Sequence, residues 1–203
     1  MRARSFLCSA MVGCTLVGVP RVATAQWQVG LDLAWTSFGD AASDTSAGSS
    51  GAVFHPGAGG TVGVRIEHQW SRFGLAISAH RMKPTVAEES DVVIVAAKHQ
   101  LRFTEIAPAV TVRIARLAAG ASLHVQAGPV VDIWEPQGLS ARSEVGVATG
   151  LTVLFPLTGR LSGAVRAMLA HSGSPFEGDD LPDRFEPHAM WRHAVSIGLQ
   201  MGF

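Results

Sequence analysis

The last fifteen residues of the chain alternate between apolar and small or polar side chains with almost no interruption. One series is Ala189, Trp191, His193, Val195, Ile197, Leu199, Met201 and Phe203, and the other is Arg192, Ala194, Ser196, Gly198, Gln200 and Gly202. A period of two residues indicates a β-strand, because successive side chains then point to opposite faces. The apolar face of so long a strand has to be covered by lipid or by a second sheet.

The other end of the chain has the pattern of an export signal. Arg2 and Arg4 form a positive segment, residues 6–19 form an apolar one, and residues 23–25 (Ala-Thr-Ala) fit the rule for cleavage before Gln26. We therefore predict a cleaved signal peptide over residues 1–25 and one domain over residues 26–203. The alternative is a lipoprotein signal that retains Cys14, but the segment before this cysteine fits that pattern poorly.

Removal of the signal changes the composition. Both cysteines, Cys8 and Cys14, lie within it, so the remaining chain has neither disulfides nor thiolate metal ligands. Acidic and basic residues number 16 each, and the loss of Arg2, Arg4 and Arg21 leaves a net charge near −3, which does not favour nucleic acid as a partner. No run after Gln26 approaches the ~18 apolar residues of a membrane-spanning helix.

Alternation recurs along the chain and predicts eight strands. Their ranges are 27–37, 60–70, 72–82, 100–114, 120–134, 142–155, 160–171 and 189–203. In the fourth, Leu101 and Phe103 have the opposite parity to the outward series that begins at Ile106, and a bulge near Thr104 would reconcile them. Pro108 lacks an N–H group, which argues for a bulge or an edge.

The connections between these strands alternate in length. Long ones fall at 38–59 (loop one), 83–99 (loop two), 135–141 (loop three) and 172–188 (loop four), and short ones at 71, 115–119 and 156–159. Transmembrane barrels have short periplasmic turns and longer extracellular loops. The prediction is an all-β, eight-stranded, antiparallel, up-and-down transmembrane barrel in the outer membrane, with both termini in the periplasm and the long loops outside the cell. The competing fold is a secreted β-sandwich.

Aromatic residues also cluster near the predicted strand ends, as interfacial girdles do. One girdle would hold Trp27, Trp70, Phe73, Phe155 and Phe203, and the other Trp35, Phe38, Phe103 and Trp191. Trp134 ends the fifth predicted strand with inward parity, and the alternative is that it belongs to loop three.

With its signal sequence, strand series and closing Val195-Ser196-Ile197-Gly198-Leu199-Gln200-Met201-Gly202-Phe203, the chain resembles the small outer-membrane β-barrel proteins of Gram-negative bacteria, with a layout similar to the OmpA and OmpX type. This resemblance implies assembly by periplasmic chaperones and the barrel-assembly machinery, and contact with outer-membrane lipids and lipopolysaccharide. It implies little about activity, since such barrels include adhesins, protective surface proteins and lipid A enzymes.

Several charged residues have inward parity. They are Asp32, Arg65, Glu67, Glu105, Arg113, Asp132, Glu144, Arg166 and Arg192. Since an eight-stranded barrel is just wide enough to be filled by side chains, we expect these charges to pair and to plug the lumen, and a narrow polar conduit is the alternative. Counting from the strand ends places Asp32 and Arg65 at similar depth and predicts a salt bridge between them. Inward glycines could leave voids, at Gly30, Gly63, Gly74, Gly128, Gly146, Gly150, Gly198 and Gly202.

A candidate for catalysis is the Ser and His cluster His171-Ser172-Gly173-Ser174, with Glu177 nearby. Some eight-stranded barrels deacylate lipid A with a His and a Ser two apart on one strand. His171 and Ser172 are adjacent and should point to opposite faces, so the match is poor.

Two loops carry distinctive composition. Loop four contains an acidic cluster, Glu177, Asp179, Asp180, Asp183 and Glu186, which could bind a hard cation but matches no EF-hand and is interpreted as a solvated surface. Residues 39–59 of loop one are rich in Gly, Ala and Ser and are predicted to be mobile.

The function predicted from the sequence is that of a monomeric, non-enzymatic integral outer-membrane protein without a cofactor. Its role would be carried by loops one, two and four, through surface contact or envelope integrity. The alternatives are a lipid A-modifying, deacylase-like enzyme and a narrow conduit for small solutes.

Overall fold

The computed structural model describes residues 26–45, 51–89, 94–97, 101–136, 140–178 and 181–203. Residues 1–25, where the signal peptide is predicted, lie outside these ranges. The strands of the described chain are β1 (Gln26–Phe38), β2 (Ala42–Asp44), β3 (Val53–Pro56), β4 (Gly59–Trp70), β5 (Phe73–Met82), β6 (Val86–Glu89), β7 (Ile94–Ala97), β8 (Leu101–Arg116), β9 (Ser122–Pro136), β10 (Arg142–Thr158), β11 (Leu161–Ser172), β12 (Phe185–Pro187) and β13 (Met190–Gly202).

Eight of these strands form a closed antiparallel barrel in the order β1-β13-β11-β10-β9-β8-β5-β4. The first and last strands close it, in a register that runs from Gln28 opposite Gly202 to Phe38 opposite Arg192. The Phe203 amide donates a further hydrogen bond to the Trp27 carbonyl oxygen, at 2.9 Å. The predicted fold class is confirmed, and each of the eight predicted strands is present with its ends displaced by only a few residues.

The barrel has two different ends, as the connection lengths predict. At the turn end, strands are joined by the short segments 71–72, 117–121 and 159–160. At the loop end lie three longer connections, between β1 and β4, β5 and β8, and β11 and β13, together with residues 137–141 between β9 and β10, a segment of the same length as 117–121. Among the described residues, no helix is long and apolar enough to cross a membrane.

A second, five-stranded sheet is built from the loops, in the order β12-β2-β3-β6-β7. Loop one supplies β2 and β3, loop two supplies β6 and β7, and loop four supplies β12. Ala42, Ala52, Leu181 and Phe185 form its buried core, with Phe54 and Phe176 against it. The prediction of a mobile loop one is wrong for its described part, because a single aromatic, Phe54, packs on Phe185 with ring centroids 4.7 Å apart.

The outer wall of the barrel is apolar. Leu31, Leu33, Val145, Val147 and Ile197 are each at least half exposed, as a lipid-facing surface requires. Most of the predicted girdle residues also point outward: Trp27, Trp70, Phe73, Phe155 and Phe203 near the turn end, and Trp35 and Trp191 near the loop end. Phe38 and Phe103 are exceptions, since they pack in an interior cluster.

Strand β8 corrects the predicted register. Leu101 and Phe103 are buried on the same face as Glu105, and the pairing with β5 runs without a shift from Val112 to Phe103, so no bulge exists near Thr104. The parity rule failed because apolar residues near the loop end face inward there. The register shift of β8 against β9 lies instead between Arg113 and Ala115.

Pro108 lies inside the barrel wall and not at an edge. It is opposite Ile77 of β5, and on its other side a Cβ at Gly128 would overlap the Pro108 carbonyl group. Glycine at 128 therefore lets β9 approach the proline, which has no N–H group to offer the ladder.

Candidate functional site

Among the described residues, seven charged side chains in the lumen are almost fully buried. Asp32, Arg65, Glu67, Glu105, Asp132, Arg166 and Arg192 are each at most 4% exposed, which confirms their predicted inward orientation. Arg113 and Glu144, the other two members of the predicted set, are only half-buried because they lie near the ends of their strands.

The network nearer the loop end is centred on Arg192. Its guanidinium bonds to Glu105 and, from Nη1, to Asp132 Oδ2 at 2.7 Å. Ser172 Oγ donates to the same Asp132 oxygen at 2.6 Å, and His80 Nδ1 lies 3.1 Å from Glu105 Oε1. One cation thus neutralises two carboxylates, the condition under which buried charges are tolerated. The imidazole contacts the second Glu105 oxygen, whereas the hydroxyl adds a second bond to Asp132 Oδ2 and leaves Asp132 Oδ1 without a hydrogen-bond partner among the described residues.

Two further networks lie nearer the turn end, one between strands and one centred on an ion pair within β4. Arg166 bonds to Asp32, and its Nη2 donates to Gln200 Oε1 at 2.8 Å. Gln200 in turn donates to Gln28 Oε1 at 3.0 Å. The second network is Arg65 with Glu67, where Nη2 and Oε2 are 3.0 Å apart. Thr111 donates to the other Glu67 oxygen at 2.8 Å.

The predicted salt bridge between Asp32 and Arg65 is wrong. Asp32 lies opposite Gly63 on β4 and Gly198 on β13, whereas Arg65 lies opposite Gly30. A Cβ at Gly198 would overlap Asp32 Oδ1, so the missing side chain gives the carboxylate room to lean toward β13 and reach Arg166 on β11. Counting from strand ends missed this because the side chains reach across the lumen and glycines set their direction.

An apolar cluster closes the loop end of the lumen, and we call it the cap. Its buried members are Ala41, Met82, Leu101, Phe103, Trp134 and Met190, with Phe38 packed against them. Trp134 is fully buried in β9, which confirms its inward parity in the fifth predicted strand, and the alternative that it belongs to loop three is wrong. The Phe103 and Trp134 rings lie 4.4 Å apart, and Arg192 sits 4.9 Å from the Phe103 ring centroid. The cap therefore rests directly on the charged network.

The inward glycines leave little empty space. The His80 ring occupies the position of a Cβ at Gly63, and the Asp32 carboxylate occupies that at Gly198. A cavity of about 20 Å³ beside Thr36, Thr61 and His80 has room for about one water molecule. At these positions the predicted voids are filled by side chains, which makes the lumen a packed polar core.

The cluster examined for catalysis is divided between the two faces of β11. His171 packs against the outward Trp191 ring, with centroids 4.6 Å apart, and Ser172 points inward to Asp132. The two residues therefore do not form a dyad. This agrees with the prediction that adjacent residues of a strand point to opposite faces.

A different Ser and His pair was missed. Ser122 Oγ and His124 Nε2 lie 2.9 Å apart on the inward face of β9, near the turn end. Their spacing of two residues in an alternating strand was a signal that could have found them. Among the described residues, no carboxylate bonds to the His124 ring, so the third member of a hydrolytic triad is not in place.

The acidic loop four is tied to the rest of the loop end by ion pairs. Glu177 pairs with Arg142 at 3.2 Å, while Asp179 and Asp180 lie outside the described residues. In the part of the chain that the structure describes, no three His, Cys, Asp or Glu side chains are grouped so that they could hold a metal ion.

The fold is similar to that of two solved barrels. Neisserial surface protein A (NspA) matches with a TM-score of 0.56 and 10% identity, over 87% of this chain and 97% of that one. The outer membrane protein OprG from Pseudomonas aeruginosa matches with a TM-score of 0.57 and 13% identity, over 89% and 97%. No protein-family model and no curated protein sequence matches the chain. The likeness concerns the fold alone, and that fold is the one of a small integral outer-membrane β-barrel.

Proposed function

We propose that the protein is a non-enzymatic outer-membrane barrel that presents the five-stranded loop sheet at the cell surface, for contact or for envelope integrity. The observation that carries the proposal is that loops one, two and four join in one folded sheet with its own apolar core. Ordering three loops has a large entropic cost, which a mere set of connections between strands would not require.

In this proposal the signal peptide is removed after Ala25, and periplasmic chaperones and the barrel-assembly machinery deliver the chain. The turn end with both termini faces the periplasm, and the loop end contacts lipopolysaccharide and the exterior. The barrel acts as a monomer, since its closed sheet leaves no free edge in the wall.

Orientation can be tested by cysteine labelling, because the chain without its signal has no cysteine. Glu186→Cys lies in the loop sheet, and Arg160→Cys lies in a short turn at the opposite end. We expect a membrane-impermeant maleimide to label the first in intact cells and the second only after the outer membrane is permeabilised. The reverse pattern would contradict the proposed orientation.

The role of the loop sheet can be tested in a deletion strain by measuring its sensitivity to detergent and large antibiotics. The double variant Phe54→Ser and Phe185→Ser removes the aromatic contact of the sheet core, and His188→Ser, an exposed change in the same region, is the matched control. We expect the wild type and the control to restore resistance and the double variant to fail. Equal rescue by all three, or no phenotype on deletion, would contradict an envelope role of the sheet.

The alternative of a lipid A-modifying enzyme is tested separately. A deacylase would remove an acyl chain from lipid A, which mass spectrometry of lipid A from cells with and without the protein would detect. The proposal predicts identical spectra. Loss of an acyl chain from lipid A that depends on Ser122 would contradict the proposal and favour a lipid A deacylase.

A further inference from the structure

Three arginines converge at the turn end of the barrel. Arg72 lies in the turn between β4 and β5, and Arg113 and Arg116 lie at the end of β8. Together with Ile114 and Ala115 they line a cavity of about 320 Å³. The Arg113 amide donates to the Arg72 carbonyl oxygen at 2.7 Å, which fixes the turn against the strand.

The β8 bulge sets the direction of two of these side chains. In a regular strand Arg113 and Arg116, three residues apart, would point to opposite faces. The register shifts between Arg113 and Ala115, so that Arg113 lies opposite His124 and Arg116 lies opposite Ser122. Cross-strand partners share a face, and the bonded pair Ser122 and His124 faces the lumen. The bulge therefore aims both arginines at the same mouth of the barrel, as bulges near functional sites do.

These three arginines contrast with six others of the described chain in their neutralisation. At the loop end, Arg102, Arg142 and Arg184 each have a carboxylate within 4 Å, and the deeply buried Arg65, Arg166 and Arg192 are all paired. Among the described residues, no carboxylate pairs with Arg72, Arg113 or Arg116, and Arg113 is repelled by both of the others. Three cations held around one cavity without a counter-charge produce a positive potential that attracts an anion.

We propose that this cavity binds a phosphate group through Arg72, Arg113 and Arg116. The guanidinium fork matches the oxygens of phosphate in a bidentate manner, and three cations suit a group that carries up to two negative charges. Ile114, 54% exposed on the outer wall beside the cavity, would contact an acyl chain if the phosphate belongs to a lipid. The source is either a phospholipid headgroup or free phosphate. This site does not depend on the role of the loop sheet.

The test uses the full barrel purified in a non-ionic detergent, with isothermal titration calorimetry at constant ionic strength. One probe is inorganic phosphate, and the other is dihexanoyl phosphatidic acid, a phosphate monoester on two short acyl chains. The variants are Arg113→Gln, Arg116→Gln and their double, with the double Lys variant as a charge-conserving rescue. Arg102→Gln, an exposed arginine at the loop end that pairs with Glu135, is the matched control. Heat-modifiable gel migration checks that each variant is folded.

We expect saturable binding by the wild type and the control, and a dissociation constant raised at least about tenfold by each Gln substitution. The Lys variant should recover part of the affinity, because it keeps the charge and loses the fork. Tighter binding of the lipid than of inorganic phosphate would identify a headgroup site, and equal affinities would identify a free-phosphate site. Absence of binding of both probes, or equal binding by the wild type and the folded Gln double variant, would overturn the proposal.

Discussion

The two ends of the lumen differ in how their charges are neutralised. At the loop end Arg192 is buried between Glu105 and Asp132, and an aromatic cap with a second sheet lies above it. At the turn end, three arginines surround an open cavity whose described lining contains no carboxylate. A charge sealed from water needs a partner within the protein, whereas a charge at an open mouth can be satisfied by solvent or a ligand. Stability therefore depends on side-chain pairing at the sealed loop end, as it does in the buried Arg65 and Arg166 networks, whereas the open mouth at the turn end is where a ligand can enter.

Among substitutions that test this difference, the largest loss of stability is expected at Arg192. Arg192→Ala leaves Glu105 and Asp132 buried together without their cation, which should lower the free energy of unfolding by about 3–5 kcal/mol. Denaturant unfolding of the barrel in lipid vesicles measures the change. Arg102→Ala, which removes an exposed pair 3.8 Å apart, is the matched control and should cost about 1 kcal/mol or less. Equal losses in the two variants would contradict the contrast between sealed and exposed charges.

The second largest loss of stability is expected in the cap. Trp134→Ala removes a fully buried ring and should cost about 3 kcal/mol. The low end of the usual range is expected because its indole N–H has no acceptor among the described residues, so no hydrogen bond is lost. The same unfolding assay applied to Trp191→Ala, an outward ring half exposed, should show a smaller loss. A larger loss at Trp191 would mean that the lipid-facing rings, and not the cap, stabilise the loop end.

A smaller effect is expected from one methyl group in the wall of the lumen. Gly63→Ala places a Cβ where the His80 ring lies, forcing the imidazole away from Glu105 at a cost of about 1–3 kcal/mol. Gly60→Ala on the same strand meets nothing within 4 Å and is the matched control. It should be neutral or slightly stabilising in the same assay. Equal tolerance of Gly63→Ala and Gly60→Ala would contradict close packing of the lumen around the His80 ring.

The smallest effect on stability is expected at the C-terminal Phe203. There we expect a change in the rate of membrane insertion. Phe203 is exposed on the outer wall, and its backbone bonds to Trp27 at the turn end. The proposed recognition of the closing strand by the barrel-assembly machinery predicts that deletion of Phe203 slows insertion. Pulse-chase assembly followed by heat-modifiable migration measures the rate. Unchanged kinetics would leave Phe203 as an ordinary interfacial residue.

The sequence predicts the barrel wall well because a lipid-facing strand must alternate along its whole length. Trp35, Ile197 and Leu199 face outward, and Asp32, Arg166 and Arg192 face inward, as period two requires. The interior partners could not be predicted, because they depend on register and on the space that particular glycines leave. Asp32 bonds to Arg166 across β13, and this choice follows from Gly198, whose role is visible only in three dimensions.

The same limit applies to both ends of the barrel. Inward Leu101, Phe103 and Trp134 break the rule that apolar means outward, because they meet each other above the charges and not the lipid. The loop sheet depends on contacts such as Phe54 with Phe185, which lie 131 positions apart in the sequence and leave no local pattern. The arrangement of Arg113 and Arg116 at the turn-end mouth of the barrel depends on the bulge in β8. The alternation of apolar and polar residues in the sequence does not show where that bulge lies.

The central claim is that the lumen is a packed polar core sealed at the loop end. Planar-bilayer conductance of the refolded wild-type barrel tests it most directly, because an open path for ions would carry current whatever the biological role. We predict no stable single-channel steps above the noise of the protein-free bilayer. Reproducible steps that scale with the amount of protein inserted would contradict the claim and favour the conduit.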